Sequence, residues 1–231
     1  MKIAIVSDIH ANIEALSSIP ERYDELWVLG DLVAYGPSPK EVIDFVRSKA
    51  ALVVRGNHDH AVAFNSDPHC SPDFRAMAGA TLSHTRQLLR TEDLDYLSNL
   101  PLTVERTIDG SRFFLCHAAP SDPLYKYVPS GSSDWDAEVD CLSTDVLLVG
   151  HTHVPFVRCT GDAIVVNPGR LGQPKRGNPL ACYAIWDRGI ELHSFEYPVA
   201  KTVARIERMP VPRRIRADLI ATLQSGAPVL S

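Results

Sequence analysis

Five polar clusters in this chain of 231 residues could do chemistry, and each ends an apolar run. One is Gly150-His151-Thr152-His153, which follows Asp145–Val149 and places two imidazoles one residue apart. The others are Ser7-Asp8-Ile9-His10, Gly30-Asp31, Gly56-Asn57-His58-Asp59 and Cys116-His117. Any one of them alone reads as ordinary surface or capping residues. Together they offer seven nitrogen and oxygen donors: Asp8, His10, Asp31, Asn57, His117, His151 and His153. Seven exceed the roughly four to six positions around one first-row ion, whereas two ions sharing a bridging carboxylate fit the count. Imidazole and carboxylate without thiolate suit Mn, Fe, Co, Ni or Zn, and the imidazoles disfavour Mg or Ca. Two such ions about 3.5–4 Å apart clamp the attacking and leaving oxygens of an in-line displacement and generate hydroxide near neutral pH. Phosphate esters need that help, because nucleophile and substrate are both anionic.

The elements that must position these residues follow an α/β pattern. Ile3–Val6, Leu26–Leu29 and Leu52–Val54 are short apolar runs of buried-strand type. Extended backbone after the first would point Asp8 and His10 to one side. Ala11–Ile19 has helical spacing with Asn12 as its N-cap. Ser38-Pro39-Lys40-Glu41 has capping-box spacing with Pro at the first helical position. Pro72–Leu89 and Thr91–Leu97 read as helices, so residues 61–100 form a helical insertion beside the mouth, with ordinary roles for His60, His69 and His84. Leu102–Thr107 and Arg112–Cys116 flank the hairpin turn Asp109-Gly110; Phe156–Cys159 and Ala163–Val166 flank Gly161-Asp162. Tyr125, Lys126 and Tyr127 fall in a loop where substrate contact and a plain loop role are equally open. A Gly/Pro-rich loop runs from Asn167 to Pro179, strands follow at Ala181–Trp186 and Ile190–Tyr197, and a C-terminal helix covers Arg214–Leu223. No linker or repeat divides residues 1–231, which read as one domain. In such sheets ligands gather outside the carboxyl ends of the strands.

Composition narrows the partners. A net charge of −5 gives no electrostatic footprint for long nucleic acid or an anionic membrane surface. The Arg-rich stretch Arg205–Arg216 is interrupted by apolar residues and reads as solvated surface. No window approaches the ~18 apolar residues of a membrane span, and the N-terminal apolar run is too short for a signal peptide. Five scattered cysteines, with no Cys-x-x-Cys, read as buried free thiols of a cytoplasmic protein.

Asp-x-His, Gly-Asp, Gly-Asn-His-Asp, His and Gly-His-x-His, in this order, resemble the calcineurin-like metallophosphoesterases. The likeness runs from the N-terminal motif through at least Gly172. Ser7–Asn12, Gly30–Pro37 and Asn167–Pro174 resemble its small single-domain bacterial and archaeal phosphodiesterases. The resemblance implies a four-layer αββα sandwich of two mixed β-sheets, with a dinuclear metal site at the strand ends. It implies that Asp8, His10 and His153 hold one ion, that Asn57, His117 and His151 hold the other, and that Asp31 bridges them. It further implies that His58 assists the leaving group, with Asp59 orienting its ring. Arg55 and Arg170 are candidate phosphate contacts.

One position departs from the wider family. Its Ser/Thr protein phosphatases and symmetrical dinucleoside tetraphosphatases carry a phosphate-binding arginine after Gly-Asp, and Tyr35 stands there in this chain. That argues against protein phosphatase activity. The expected function is hydrolysis of a small phosphate ester, diester before monoester, with a dinucleoside polyphosphate as the alternative and a homo-oligomer left open. A non-catalytic scaffold, a use of this fold in a eukaryotic sorting complex, requires drifted ligand positions, and none has drifted.

Overall fold

The structure, a computed structural model, describes residues 1–175 and 177–227. Its strands are β1 (Ile3–Val6), β2 (Glu25–Val28), β3 (Ala50–Val53), β4 (Thr103–Ile108), β5 (Ser111–Cys116), β6 (Val146–Leu148), β7 (Phe156–Thr160), β8 (Ala163–Asn167), β9 (Ala181–Trp186) and β10 (Ile190–Phe195). Its helices are α1 (Ile13–Leu16), α2 (Pro39–Lys49), α3 (Asn57–Phe64), α4 (Pro72–Leu88), α5 (Thr91–Asn99), α6 (Asp134–Asp140), α7 (Val199–Ile206) and α8 (Arg213–Ser225).

The strands form two mixed five-stranded sheets, ordered β10-β9-β1-β2-β3 and β4-β5-β6-β8-β7. Each sheet contains a run of three parallel strands, β1, β2 and the edge strand β3 in the first and β5, β6 and β8 in the second. Alternation along these strands divides their apolar residues between two faces. Ile3, Ile5, Trp27 and Leu29 from one sheet meet Phe113, Leu115, Val146, Leu148 and Val166 from the other, forming the core between the sheets. The alternate residues Ala4, Val6, Leu26 and Val28 face outward under α2, α3 and α5. On the far side, Leu147, Val149 and Val165 pack against Trp135 and Val139 of α6. These layers make the αββα sandwich. A further apolar cluster gathers α4, α7 and α8 around Ala34 and Tyr35.

Several local expectations change. Helix α1 is one turn long, although Asn12 does cap it by accepting from the Ala15 N–H at 3.1 Å. Ser38 makes no side-chain cap; its hydroxyl accepts from Arg205, and Glu41 also pairs with Arg205, at 3.0 Å. Arg205 is therefore a tie between elements rather than free surface. Helices α3, α6 and α7 carried no sequence expectation, being short and flanked by loop-type residues. All five cysteines are free, but only Cys116 and Cys182 are buried. Among the described residues no helix is long and apolar enough to cross a membrane.

The three rings of Trp27, Phe113 and Trp186 lock the sheets together, with centroids of Phe113 at 5.2 Å from Trp27 and 4.8 Å from Trp186, both edge-to-face. Phe113→Ala should cost about 3–5 kcal/mol in urea-induced unfolding. A loss below about 1 kcal/mol would show that the inter-sheet core repacks around the void.

Candidate metal centre

The parallel strands of both sheets deliver their carboxyl ends to one edge. β1 runs into Asp8 and His10, β2 into Asp31, β3 into Asn57 at the start of α3, β5 into His117, and β6 into His151 and His153. Backbone hydrogen bonds stitch these ends together: Asp8 N–H to Gly30 O (3.1 Å), His10 N–H to Asp31 O (2.9 Å) and Gly150 N–H to His117 O (2.7 Å). The backbone is not extended, as the sequence suggested for Asp8 and His10. Asp8, His10, Asp31, His151 and His153 all adopt positive φ, between 47° and 63°. Left-handed backbone costs an L-residue roughly 1–2 kcal/mol, and such strain concentrates at functional sites. Glycine makes the close approach feasible: a Cβ at Gly56 would run into the Asp31 carboxylate, and one at Gly30 would come within 2.5 Å of Gly56 N.

The donors converge as two groups. One ligand atom from each of Asp8, His10, Asp31 and His153 lies within 4.8 Å of all the others, and all four residues are buried. Beside them, Asn57 Oδ1 is 3.0 Å from His117 Nε2 and 3.2 Å from His151 Nδ1. Asp31 Oδ2 belongs to both groups, at 3.6 Å from His10 Nε2 and 3.4 Å from His117 Nε2.

Hydrogen bonds on the far side of His10, Asn57, His117 and His153 fix what each presents. His10, His117 and His153 donate from Nδ1 to the carbonyls of Val33 (3.1 Å), Leu29 (2.7 Å) and Gln173 (2.6 Å). A carbonyl only accepts, so a neutral ring must carry its proton on Nδ1 and turn the Nε2 lone pair toward the cluster. The Asn57 amide donates to Pro68 O at 2.6 Å, which turns Oδ1 inward. Burial pushes His10 down to about 4 and His151 to about 3, and lowers His153, so these rings are neutral at pH 7. Burial also works against charge on His117, but the Asp31 carboxylate prevails and raises that ring to about 9. Burial disfavours charge on Asp31 too, yet His117 beside it holds the carboxyl well below its usual range.

Acceptors therefore face acceptors. His10 Nε2 and His153 Nε2 are 3.3 Å apart, and His153 Nε2 is 3.2 Å from Asp8 Oδ1. With its proton on Nδ1, His153 cannot donate to Asp8, and both Asp8 oxygens are buried without a hydrogen-bond partner. A buried, unpaired carboxylate costs on the order of several kcal/mol. A cation removes both the cost and the repulsion, so the donor set fits divalent metal ions.

Three residues fall elsewhere than the sequence suggested. Asp59 does not reach the His58 ring. Its carboxylate accepts from the N–H groups of Asp31 (2.8 Å), Gly56 (3.0 Å), Leu32 (2.8 Å) and Val33 (3.3 Å), because successive residues of a helix point about 100° apart. It is a clamp that sets Asp31 and the turn into α3. Arg55 donates to Ser98 O at 2.6 Å with its guanidinium over Phe64, and Arg170 binds Cys182 Sγ and Asn178 O. Both arginines serve the scaffold.

His58 faces the cluster. Its ring lies 5.1 Å from His10 and 4.9 Å from Tyr35, Nδ1 is buried and unpartnered, and its backbone N–H donates to Asp31 Oδ1 at 2.9 Å. A cleft of about 450 Å³ opens over Asp31, Asn57, His58, His151 and His153. Its outer walls are His69, Cys70, Phe74, Tyr125, Tyr127 and Lys175. Lys126 is occupied by Glu138 at 2.7 Å. His69, Cys70, Phe74 and Lys175 carried no site expectation. Only Lys175, a cation within the Gly/Pro-rich loop after the last histidine, offered a signal.

Residues 1–188 match the family described as the calcineurin-like phosphoesterase superfamily domain. The chain is 31% identical to an uncharacterized protein of Methanocaldococcus jannaschii, across 91% of this chain and 93% of that one. It is 25% identical to the phosphodiesterase YfcE of Escherichia coli, across 82% and 89% respectively. A metallophosphoesterase structure from Sphaerobacter thermophilus superposes with a TM-score of 0.82 at 30% identity, covering 98% of this chain and 99% of that one.

Because Asp59 holds four backbone N–H groups, Asp59→Ala should destabilise the fold by roughly 3 kcal/mol or more in chemical denaturation. It should also weaken metal retention by displacing Asp31. Unaltered stability would refute the clamp.

Proposed function

The chain belongs to the calcineurin-like phosphoesterase superfamily, and from that premise we propose that it hydrolyses small-molecule phosphodiesters with two divalent transition-metal ions, Mn, Fe, Co, Ni or Zn, as cofactors. The observation that carries this reading is the convergence of Asp8, His10, Asp31 and His153 beside Asn57, His117 and His151, with the Asp8 carboxylate left without a hydrogen-bond partner. Asp8, His10 and His153 would hold one ion and Asn57, His117 and His151 the other, with the shared Asp31 carboxylate between them. When bound, such a pair supplies Lewis-acid polarisation of a phosphoryl oxygen and a hydroxide near neutral pH.

The chain's own residues divide the remaining work. His58 lines the cleft without a carboxylate partner, and burial pushes its ring down to about 3. A neutral imidazole offers one N–H to charge developing on the leaving oxygen, which supports hydrogen-bond donation over a resident imidazolium acid. Tyr35 packs against His10 and His58 with its hydroxyl buried, and so restricts the space on that side of the cleft. Among the described residues of the lining, Lys175 is the one lysine or arginine, and Asp73 adds a carboxylate to those of the metal centre. That balance favours a monoanionic diester over a dianionic monoester. The phosphodiesterase name of the Escherichia coli relative agrees in class.

Protein stripped with chelator and resupplied with Mn, Co or Ni should hydrolyse bis(p-nitrophenyl) phosphate faster than the monoester. Absence of turnover with all three metals would sink the reading. His58→Ala should lower turnover roughly 10²-fold or more while two equivalents of metal remain by elemental analysis; unchanged turnover would remove His58 from the mechanism. At limiting metal, His151→Ala and His153→Ala should each deplete a different one of the two ions, and equal loss of both ions in either variant contradicts the assignment.

A further inference from the structure

The cleft contains a cation that the metal centre does not use. The Lys175 ammonium lies 5.1 Å from the centroid of the Phe74 ring, in the same cleft as Asp31, Asn57, His58 and His151. Among the described residues it forms no ion pair and no hydrogen bond. Lys126 and Lys40, by contrast, are neutralised locally, by Glu138 at 2.7 Å and by Asp44 at 2.7 Å. An aromatic face holds an ammonium in place without cancelling its charge, as a carboxylate would.

An unpaired cation beside a centre built for divalent ions is repulsive until an anion comes between them. Resting on the phosphoesterase reading, we propose that Lys175 is the substrate-anion contact of this site, pairing with a non-bridging phosphoryl oxygen on the side of the cleft formed by Phe74. Phe74 is then a positioning residue that keeps the ammonium over the cleft. The contact is direct for Lys175 and indirect for Phe74, so the two separate on substitution. The flexible stem of lysine lets the charge follow the phosphoryl group, and arginine in its place should keep most of the binding. Because the charge is present for substrate and transition state alike, its loss falls on KM rather than on kcat.

The test uses full-length, metal-loaded protein with bis(p-nitrophenyl) phosphate as substrate and inorganic phosphate as a competitive ligand. Lys175→Met should raise KM and weaken phosphate binding, read by calorimetry, by roughly tenfold or more, with kcat within about threefold and metal content unchanged. Lys175→Arg should restore both values to within about threefold, and Phe74→Leu should produce an intermediate loss. KM and phosphate affinity both unmoved by Lys175→Met would overturn the assignment, and so would a fall confined to kcat. Failure of the unsubstituted protein to turn over any phosphoester would instead strike the phosphoesterase reading. The phosphate titration tests Lys175 in either case.

Discussion

Everything at the business edge of this molecule depends on forcing electron-pair donors to face one another. Asp8, Asp31 and the inward nitrogens of four histidines crowd one edge, with protons committed to backbone carbonyls behind three of those rings. In a metal-free interior the contacts among Asp8, His10 and His153 are repulsive, relieved only in part by the attraction between Asp31 and His117. The arrangement persists because the core between the sheets and the backbone bonds between strand ends outweigh that repulsion, at the cost of five left-handed residues among the seven candidate ligands. Pre-organisation of this kind moves the expense of assembling a metal site into folding, so that little remains to be rearranged when cations bind.

The same constraint explains the division of labour between the carboxylates. Asp59 lies one residue after His58, yet it faces away from the cleft and secures four N–H groups that shape the loop bearing Asp31. Asp31 in turn accepts from the His58 backbone with one oxygen and offers the other to both donor groups. A chain of hydrogen bonds thus runs from the start of α3 to the point where the two groups meet. The centre is stiff because His10, Asp31, Asn57, His117 and His153 are each held from behind.

Much of the fold and of the centre was legible in the sequence because both express strong, local physics. Buried parallel strands need continuous apolar runs, and strand ends that bear Asp, His or Asn mark one edge, so the seven residues that meet there stood out in the sequence as a set. What was not legible depends on direction and distance. Nothing in Gly56-Asn57-His58-Asp59 tells that Asp59 rotates onto backbone N–H groups, and nothing near Arg55 or Arg170 tells that carbonyls of Ser98 and Asn178 take up their charge. The walls of the cleft were the least visible: His69, Phe74 and Lys175 come from a helical segment and an irregular loop without periodicity, and only tertiary structure brings them together.

The two histidines of the Gly150-His151-Thr152-His153 motif show how short-range geometry sets the spacing of such a centre. With one residue between them they could have chelated a single ion. Both instead adopt left-handed backbone, and they present different nitrogens: His153 turns Nε2 to Asp8 and His10, whereas His151 turns Nδ1 to Asn57. Nδ1 lies closer to the backbone than Nε2, so the two side chains reach different depths from adjacent stretches of one loop. The loop therefore spans both donor groups, and its stiffness, secured by the Gln173 carbonyl behind His153 and the backbone bond from Gly150 to His117, fixes their separation.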